Sequence, residues 1–436
     1  MPARSETAAA TDPDPAVDTS DPKSPGSFVR TRWRSVARAL AVALVAVVLP
    51  YVVINTPSVS VFGNVIPFNI DNLSYAMVAS VAVLSLVVLV GWNGQLSLAA
   101  GFFVGVGAYV AIIVNTELGV PFVLSVVIAS LVCGALGLLV GLPALRIRGT
   151  YLALVTITLA AVFPSLVRLP SIKQWTGGSD GLPLPSRPEA PAWLPVARAP
   201  EVLGHIPGIG PYLIGDRPLG AAQAGAVWVY FVVLAATVAM FWLVAGIGRG
   251  RIGRAILAVR DHEIGAAASG VNTARLKVMV FAVSAAVAGV AGGMYAAVFR
   301  IVAPETFGLT LAIYLLFGMI LGGHRSMAGA VIGGFAVAYL PAITGQITHL
   351  PGVPDRYLNG PTASLTLGAL LVLFPLLMPG GVADTRMRGR RSKAGRREAD
   401  SDGSPPDPRS TAESSASHPD ERTSRSHLAG GNVLSS

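Results

Sequence analysis

The sequence predicts an all-α, polytopic integral membrane protein with about ten transmembrane helices and both termini in the cytoplasm. Three observations carry this. Between Arg30 and Pro379 lie about ten apolar stretches of membrane-spanning length, and none has an Asp, Glu, Lys or Arg in its middle. The chain is 53% hydrophobic and 13% charged, with a mean hydropathy of +0.62, which excludes an ordinary soluble domain. Its net charge of +9 comes from basic residues gathered at span ends, in short loops and in a tail. That distribution is a topology signal, so no nucleic-acid partner is expected.

Residues 1–28 are rich in Ala, Ser, Asp and Pro and read as a disordered cytoplasmic tail. The membrane domain occupies 29–383. Its first apolar run, 36–54, follows Arg30, Arg32, Arg34 and Arg38 as a signal peptide would. No small-residue cleavage site ends it and many spans follow, so it reads as a first transmembrane helix. The further spans fall at 73–92, 96–115, 121–142, 150–168, 226–246, 277–298, 308–323, 328–346 and 362–379. Gly clusters beside 96–115 and 308–323 would allow those two to be broken or re-entrant. With the N-terminus inside, Arg30–Arg38, Arg146 and Arg148, the 247–275 loop, His324–Arg325 and the tail RMRGRRSKAGRR all land in the cytoplasm. The Pro- and Gly-rich connection 169–225 lands outside and is too long for a turn. It reads either as an unstructured insertion or as a cap that meets an external partner. Residues 384–436 read as a second disordered cytoplasmic tail.

Small residues recur at helix-packing spacing: Gly101/Gly105, Gly137/Gly141, Gly289/Gly293 and Gly329/Gly333. They suit close helix contacts within one subunit or a seam between two. The lone Cys133 lies in a span, and six scattered His lack ligand spacing, so neither a disulfide nor a metal site is expected.

Three segments could carry function. Gly91-Trp-Asn-Gly-Gln-Leu-Ser97, between two spans, brings Asn93, Gln95 and Ser97 to membrane depth on interrupted backbone. Uncharged amides and hydroxyls suit the path of a small polar or zwitterionic solute; a plain surface loop is the alternative. In the 150–168 span Thr156 and Thr158 lie two apart and cannot share a helix face. At most one faces a path; the alternative is that each bonds back to its own helix. Residues 249–272 form a short Ala-rich amphipathic helix in which Ile252, Ile256, Val259 and Glu263 share a stripe. Gly270 is a plausible stop, and Asn272 or Thr273 a cap for the next helix. This stretch is either a basic linker or a docking helix for a soluble partner.

The blocks GWNGQLSLAAGFFVGVGAY, RIRGTYLALVTITLA, WTGGSDGL, GRAILAVRDHEIGAAASGVN and LFGMILGGHRSMAGAVIGG resemble, in order, the permease subunits of branched-chain amino-acid (LIV-type) ABC importers over about residues 70–345. The resemblance implies that the Arg260–Asn272 region is the "EAA" loop, whose coupling helix sits in a groove of an ATPase subunit. Ile256, Val259, Arg260, Asp261, Glu263, Ala267 and Gly270 then serve ATPase coupling. Six residues before Gly270, where that pattern has Glu, stands Ile264, with Glu263 one earlier. The implied partners are a second permease, two P-loop ATPase subunits, an extracytoplasmic solute-binding protein and a small-molecule substrate, in a bacterial plasma membrane and with no cofactor. A sister family importing urea or short amides has near-identical blocks and remains open as an alternative. No G-x-x-x-x-G-K-[ST] occurs and no nucleophile–base constellation is found, so neither ATP hydrolysis nor other catalysis is expected of this chain. A secondary transporter is disfavoured by the lack of intramembrane carboxylates. A passive channel would need no docking helix.

Overall fold

The structure, a computed structural model, describes residues 48–54, 58–61, 64–67, 69–144, 150–185, 187–188 and 220–344. Most of the expected 36–54 span, Arg146 and Arg148, the middle of the 169–225 connection, the 362–379 span and both tails lie outside them. In chain order the elements are a helical segment α1 (48–54), the hairpin β1 (Ser58–Val61) and β2 (Asn64–Pro67), and α2 (Ile70–Leu86), which runs on through a π-helical turn, Val87–Trp92. Then come α3 (Ala100–Leu118), α4 (Phe122–Ala144), α5 (Thr150–Val167), the single turn α6 (Lys173–Thr176), β3 (Leu182–Pro183) and α7 (Ala221–Arg249). The short helices α8 (Arg251–Asp261) and α9 (Glu263–Ala268) precede α10 (Thr273–Phe299), β4 (Ile301–Val302), α11 (Leu309–Gly322) and α12 (Met327–Thr344).

Local chemistry sets several of these boundaries. Asn69 Oδ1 accepts the Asn72 amide at 2.8 Å and starts α2, with Asp71 favourably placed in its first turn. Asn272 Oδ1 accepts the Arg275 amide at 3.0 Å and starts α10, the capping the sequence suggested.

The described residues hold five helices long and apolar enough to cross a membrane, or six if the bent pair Leu152–Val167 and Pro170–Thr176 is one span. These match the expected spans from 73–92 through 277–298. The expected 96–115 span is an unbroken helix that begins at Ala100. The expected 308–323 span is the 14-residue α11, about 21 Å long at 1.5 Å per residue, short of the roughly 30 Å hydrocarbon core. All-α describes the bulk of the fold but not all of it. β1 pairs antiparallel with β2, and β3 with β4. The first pair is a hairpin between α1 and α2, whereas the second joins strands more than a hundred residues apart, after α6 and after α10.

The core forms around α2 and α10. In their most apolar windows α2 is 89% buried and α10 72%, against 28% for both α4 and α7. Small residues make this possible. A Cβ on Gly289 would come within 2.7 Å of Cys133 Cβ, and one on Gly293 within 3.0 Å of Val126, both in α4. Gly137 of α4 faces Ala285, Gly101 faces the start of α11, and Gly329 and Gly333 face Gly322 and Gly318. All four glycine pairs therefore seat helices inside this one chain.

Successive helices alternate between two ends of the bundle. One end gathers the π-helical turn, α8, α9 and the turn between α11 and α12. There Trp92 Nε1 donates to the Arg325 carbonyl at 3.5 Å. The opposite end gathers β3, β4 and the start of α2. There Leu184 N donates to Arg300 O at 2.7 Å, Tyr109 Oη to Val302 O at 3.0 Å, and Arg187 pairs with Asp71 at 3.2 Å.

Candidate solute path and coupling surface

The α2 helix does not end cleanly. It loosens into the π-helical turn Val87–Trp92, and residues 94–98 then have no regular structure before α3 begins. Gly94 sits at φ +72°, a conformation that L side chains resist, which permits the sharp exit from the turn. Gly91 lies against the His324 carbonyl so closely that a Cβ there would collide with it. The segment is thus fixed at its start by contact with the α11–α12 turn.

Its polar side chains divide into two kinds. Ser97 Oγ accepts the Ala99 amide at 3.2 Å, and Thr156 Oγ1 accepts the Leu98 amide at 3.1 Å. These two hydroxyls satisfy N–H groups exposed where α3 begins, so they hold the interruption in place. Asn93 is 3% exposed, yet both its amide atoms lack a partner, as does Gln95 Oε1. Leaving a buried polar atom unsatisfied costs about 1–3 kcal/mol, so these amides call for water or a solute. Among the described residues the other such atoms include Arg187 Nε at the opposite end and Thr237 Oγ1 in α7.

Thr158 is elsewhere. It is exposed on the outer surface of α5, and its hydroxyl returns to Leu154 O at 3.0 Å. Its neighbours on that surface, Leu154, Val155 and Val162, are exposed too. The two threonines do not share a face, as their spacing requires: Thr156 is buried, and its hydroxyl also returns to its own helix at Leu152 O and Ala153 O.

The residues singled out for coupling also separate. Ile256 and Val259 are 1% and 3% exposed and anchor α8 to the bundle. The apolar side chains turned outward are instead Ile252, Leu257 and Ile264, at 56%, 44% and 87% exposure. The stripe read from spacing does not hold as one face: Ile256 and Val259 turn to the protein's own core, Ile252 and Glu263 are exposed, and the single helix expected over 249–272 is broken at His262 into α8 and α9. Asp261, Ala267 and Gly270 are exposed, and Gly270 stands at φ +84° with no atom near enough to crowd a Cβ. Glu263 Oε1 accepts Lys277 Nζ at 2.6 Å, tying α9 to the first turn of α10. Arg260 turns inward, and its guanidinium donates to the Gly91 carbonyl. Burial, followed by the nearby charge of Arg325, lowers its pKa, while Asp261 opposes the shift. Leu257, Ile264 and Trp92 were absent from the candidate site residues. Trp92 could have been suspected as a large aromatic beside a helix break, but its partners on α7 and in the α11–α12 turn are remote in sequence. Among the described residues no cluster of His, Cys, Asp or Glu is arranged to hold a metal.

At the opposite end a cleft of about 490 Å³ is lined by Ile54, Asp71, Arg187, Gln223 and Arg300, among others. Arg300 closes α10 at φ +61°, the one described non-glycine residue with positive φ.

A bundle of long apolar helices with an interrupted polar segment at one end has the build of a multi-pass membrane protein. The chain belongs to the branched-chain amino acid transport system permease component family, whose model matches residues 69–375. It is 30% identical over 321 residues to the high-affinity branched-chain amino acid transport system permease protein LivM of Salmonella typhimurium, covering 72% of this chain and 69% of that protein. Similarity to LivM of Escherichia coli K12 is of the same order, 30% over 320 residues, again 72% and 69%. LivH of Escherichia coli K12 is 30% identical over 144 residues, 33% of this chain and 43% of that protein. No solved structure matches.

Proposed function

We propose that the chain is the permease subunit of an ATP-driven ABC importer of branched-chain amino acids. The observation that carries this reading is the pair of unsatisfied amides, Asn93 and Gln95, on interrupted backbone inside an apolar bundle. Neutral donors and acceptors can replace the hydration of a zwitterion without trapping it, as a fixed charge would. The names of the LivM and LivH relatives support the substrate class and a second permease subunit beside this one.

The end carrying α8 and α9 is the cytoplasmic one, because Arg249, Arg251, Arg254, Arg260, Arg275 and Lys277 gather there. With that orientation our reading has about ten spans, both termini inside and the 169–225 connection outside, available to a solute-binding protein. ATP hydrolysis belongs to a pair of P-loop subunits, which dock on the outward face of α8 and α9 at Ile252, Leu257, Ile264 and Ala267.

The test is uptake of labelled leucine into proteoliposomes holding this chain, a second permease and the ATPase pair, with binding protein supplied. Uptake should require ATP and all partners, and excess isoleucine or valine should compete where urea and acetamide do not. Ala267→Glu should abolish ATPase co-purification while insertion stays normal. An unpaired charge in that interface costs several kcal/mol, about a thousandfold in affinity. Rapid ATP-independent uptake by the chain alone would indicate a channel.

A further inference from the structure

The coupling helix and the interrupted segment meet at one side chain. α8 is separated from α7 by Gly250 in extended conformation, so it is a short lever and not a continuation of the span. Ile256 and Val259 hold its inner face to the bundle, while Ile252 and Leu257 leave its outer face open. From the last turn of this lever Arg260 reaches back 169 residues in sequence to donate to the carbonyl of Gly91, within the π-helical turn. Its aliphatic stem covers Gly94, where an added Cβ would sit 3.2 Å from Arg260 Cγ. The other side of Gly91 abuts His324 backbone, and the Trp92 ring rests on Gly248, 2.7 Å from where a Cβ would be. Gly91 is thus held between α8 and the α11–α12 junction and Trp92 between α7 and that junction, and Asn93 and Gln95 follow directly from the clamp.

We infer that Arg260 is a positioning residue, the strut through which displacement of α8 is passed to the Asn93–Ser97 segment of the solute path. This rests on the permease reading above. A π-helical turn is a point where a helix has an alternative hydrogen-bond register close in energy, which makes it a suitable element to be shifted. Arg suits the task because its long planar fork spans the gap from α8 and stays charged there. Lys keeps the stem and a donor, but neither the fork nor the full reach.

The experiment uses the complete reconstituted complex and measures leucine uptake per ATP hydrolysed. Arg260→Ala should retain its ATPase subunits and hydrolyse ATP within about twofold of the parent rate, while uptake per ATP falls at least tenfold. Arg260→Lys should recover coupling to within about threefold. Arg260→Gln, shorter and neutral, serves if the alanine variant is not recovered in the membrane, and should be equally uncoupled. Hydrogen–deuterium exchange supplies the readout that a merely structural role would not move. Amides of residues 93–98 should change protection between nucleotide-free and ATP-bound parent complex, and Arg260→Ala should remove that difference. Parental uptake per ATP in the alanine or glutamine variant, or an unaltered nucleotide response at 93–98, overturns the inference. So does an equal loss in the lysine variant. A parent complex that takes up leucine without ATP instead overturns the permease reading, and the strut with it.

Discussion

Two glycine-rich junctions meet at the end of the bundle that carries α8 and α9, and they use glycine for opposite purposes. Between α11 and α12, Gly318 and Gly322 lie against Gly333 and Gly329, backbone upon backbone, with no polar side chain between them. Between α2 and α3, Gly91 and Gly94 let the chain leave its helix and set Asn93 and Gln95 where hydrogen bonds are missing. The first junction is closed packing, where small size serves contact. The second is an opening, tolerated at membrane depth only where it borders protein or a wet cavity. A glycine cluster beside a span is therefore ambiguous until its neighbours are known. The polar residues accompanying it are the better sign of function.

The sharpest way to break this contrast is to add bulk at the closed junction. Gly322→Val should collide with Gly329 backbone, which cannot rotate away as a side chain would. Overpacking of this kind costs about 1–3 kcal/mol and more where backbone must move. The expected result is a clear fall in the melting temperature of purified permease, with uptake lost in proportion to folded protein.

Asn93→Leu should behave in the reverse manner. It removes buried amide atoms that have no partner, so stability should hold or rise. Uptake per folded complex should nevertheless drop at least tenfold. A variant that loses stability and keeps transport would show that Asn93 is a packing residue.

The smallest effect separates the two threonines. Thr156→Val deprives the Leu98 amide of its acceptor, for which about 1 kcal/mol of destabilisation is expected. Thr158→Val removes only a bond back to its own helix and should change neither melting temperature nor uptake. Equal effects from both would mean that Thr156 does not hold the interruption.

Much of this was legible in the sequence because hydropathy and polar interruptions are local properties. Spans from 73–92 to 277–298 fell close to where helices form, and Asn93 and Gln95 stood out as amides in an apolar setting. What spacing could not supply was direction. The Ile256–Val259 stripe looks the same whether it faces a partner or the chain's own bundle, and only the packing of α8 shows that it faces inward. Arg260 likewise read as one more cytoplasmic charge, since its acceptor lies 169 residues away. The two strand pairs were missed because strands of two to four residues are too short to impose a period of two on the sequence. Hydropathy was equally silent on burial. The most apolar windows of α2 and α4 have similar values, 2.4 and 2.7, yet one is the centre of the core and the other its outer surface.

If the interruption at 91–97 borders the solute path, cysteine accessibility will reveal it directly. In a Cys133→Ala background, Asn93→Cys and Gln95→Cys should react with a membrane-impermeant thiol reagent in the cycling, ATP-supplied complex, and excess leucine should slow both reactions. Thr158→Cys, on the outer face of α5, and Met327→Cys, beside the closed junction, should show no leucine-dependent change. Inertness at 93 and 95 throughout the cycle, or labelling that leucine leaves unchanged, would contradict the claim and make the interruption a packing defect of the bundle.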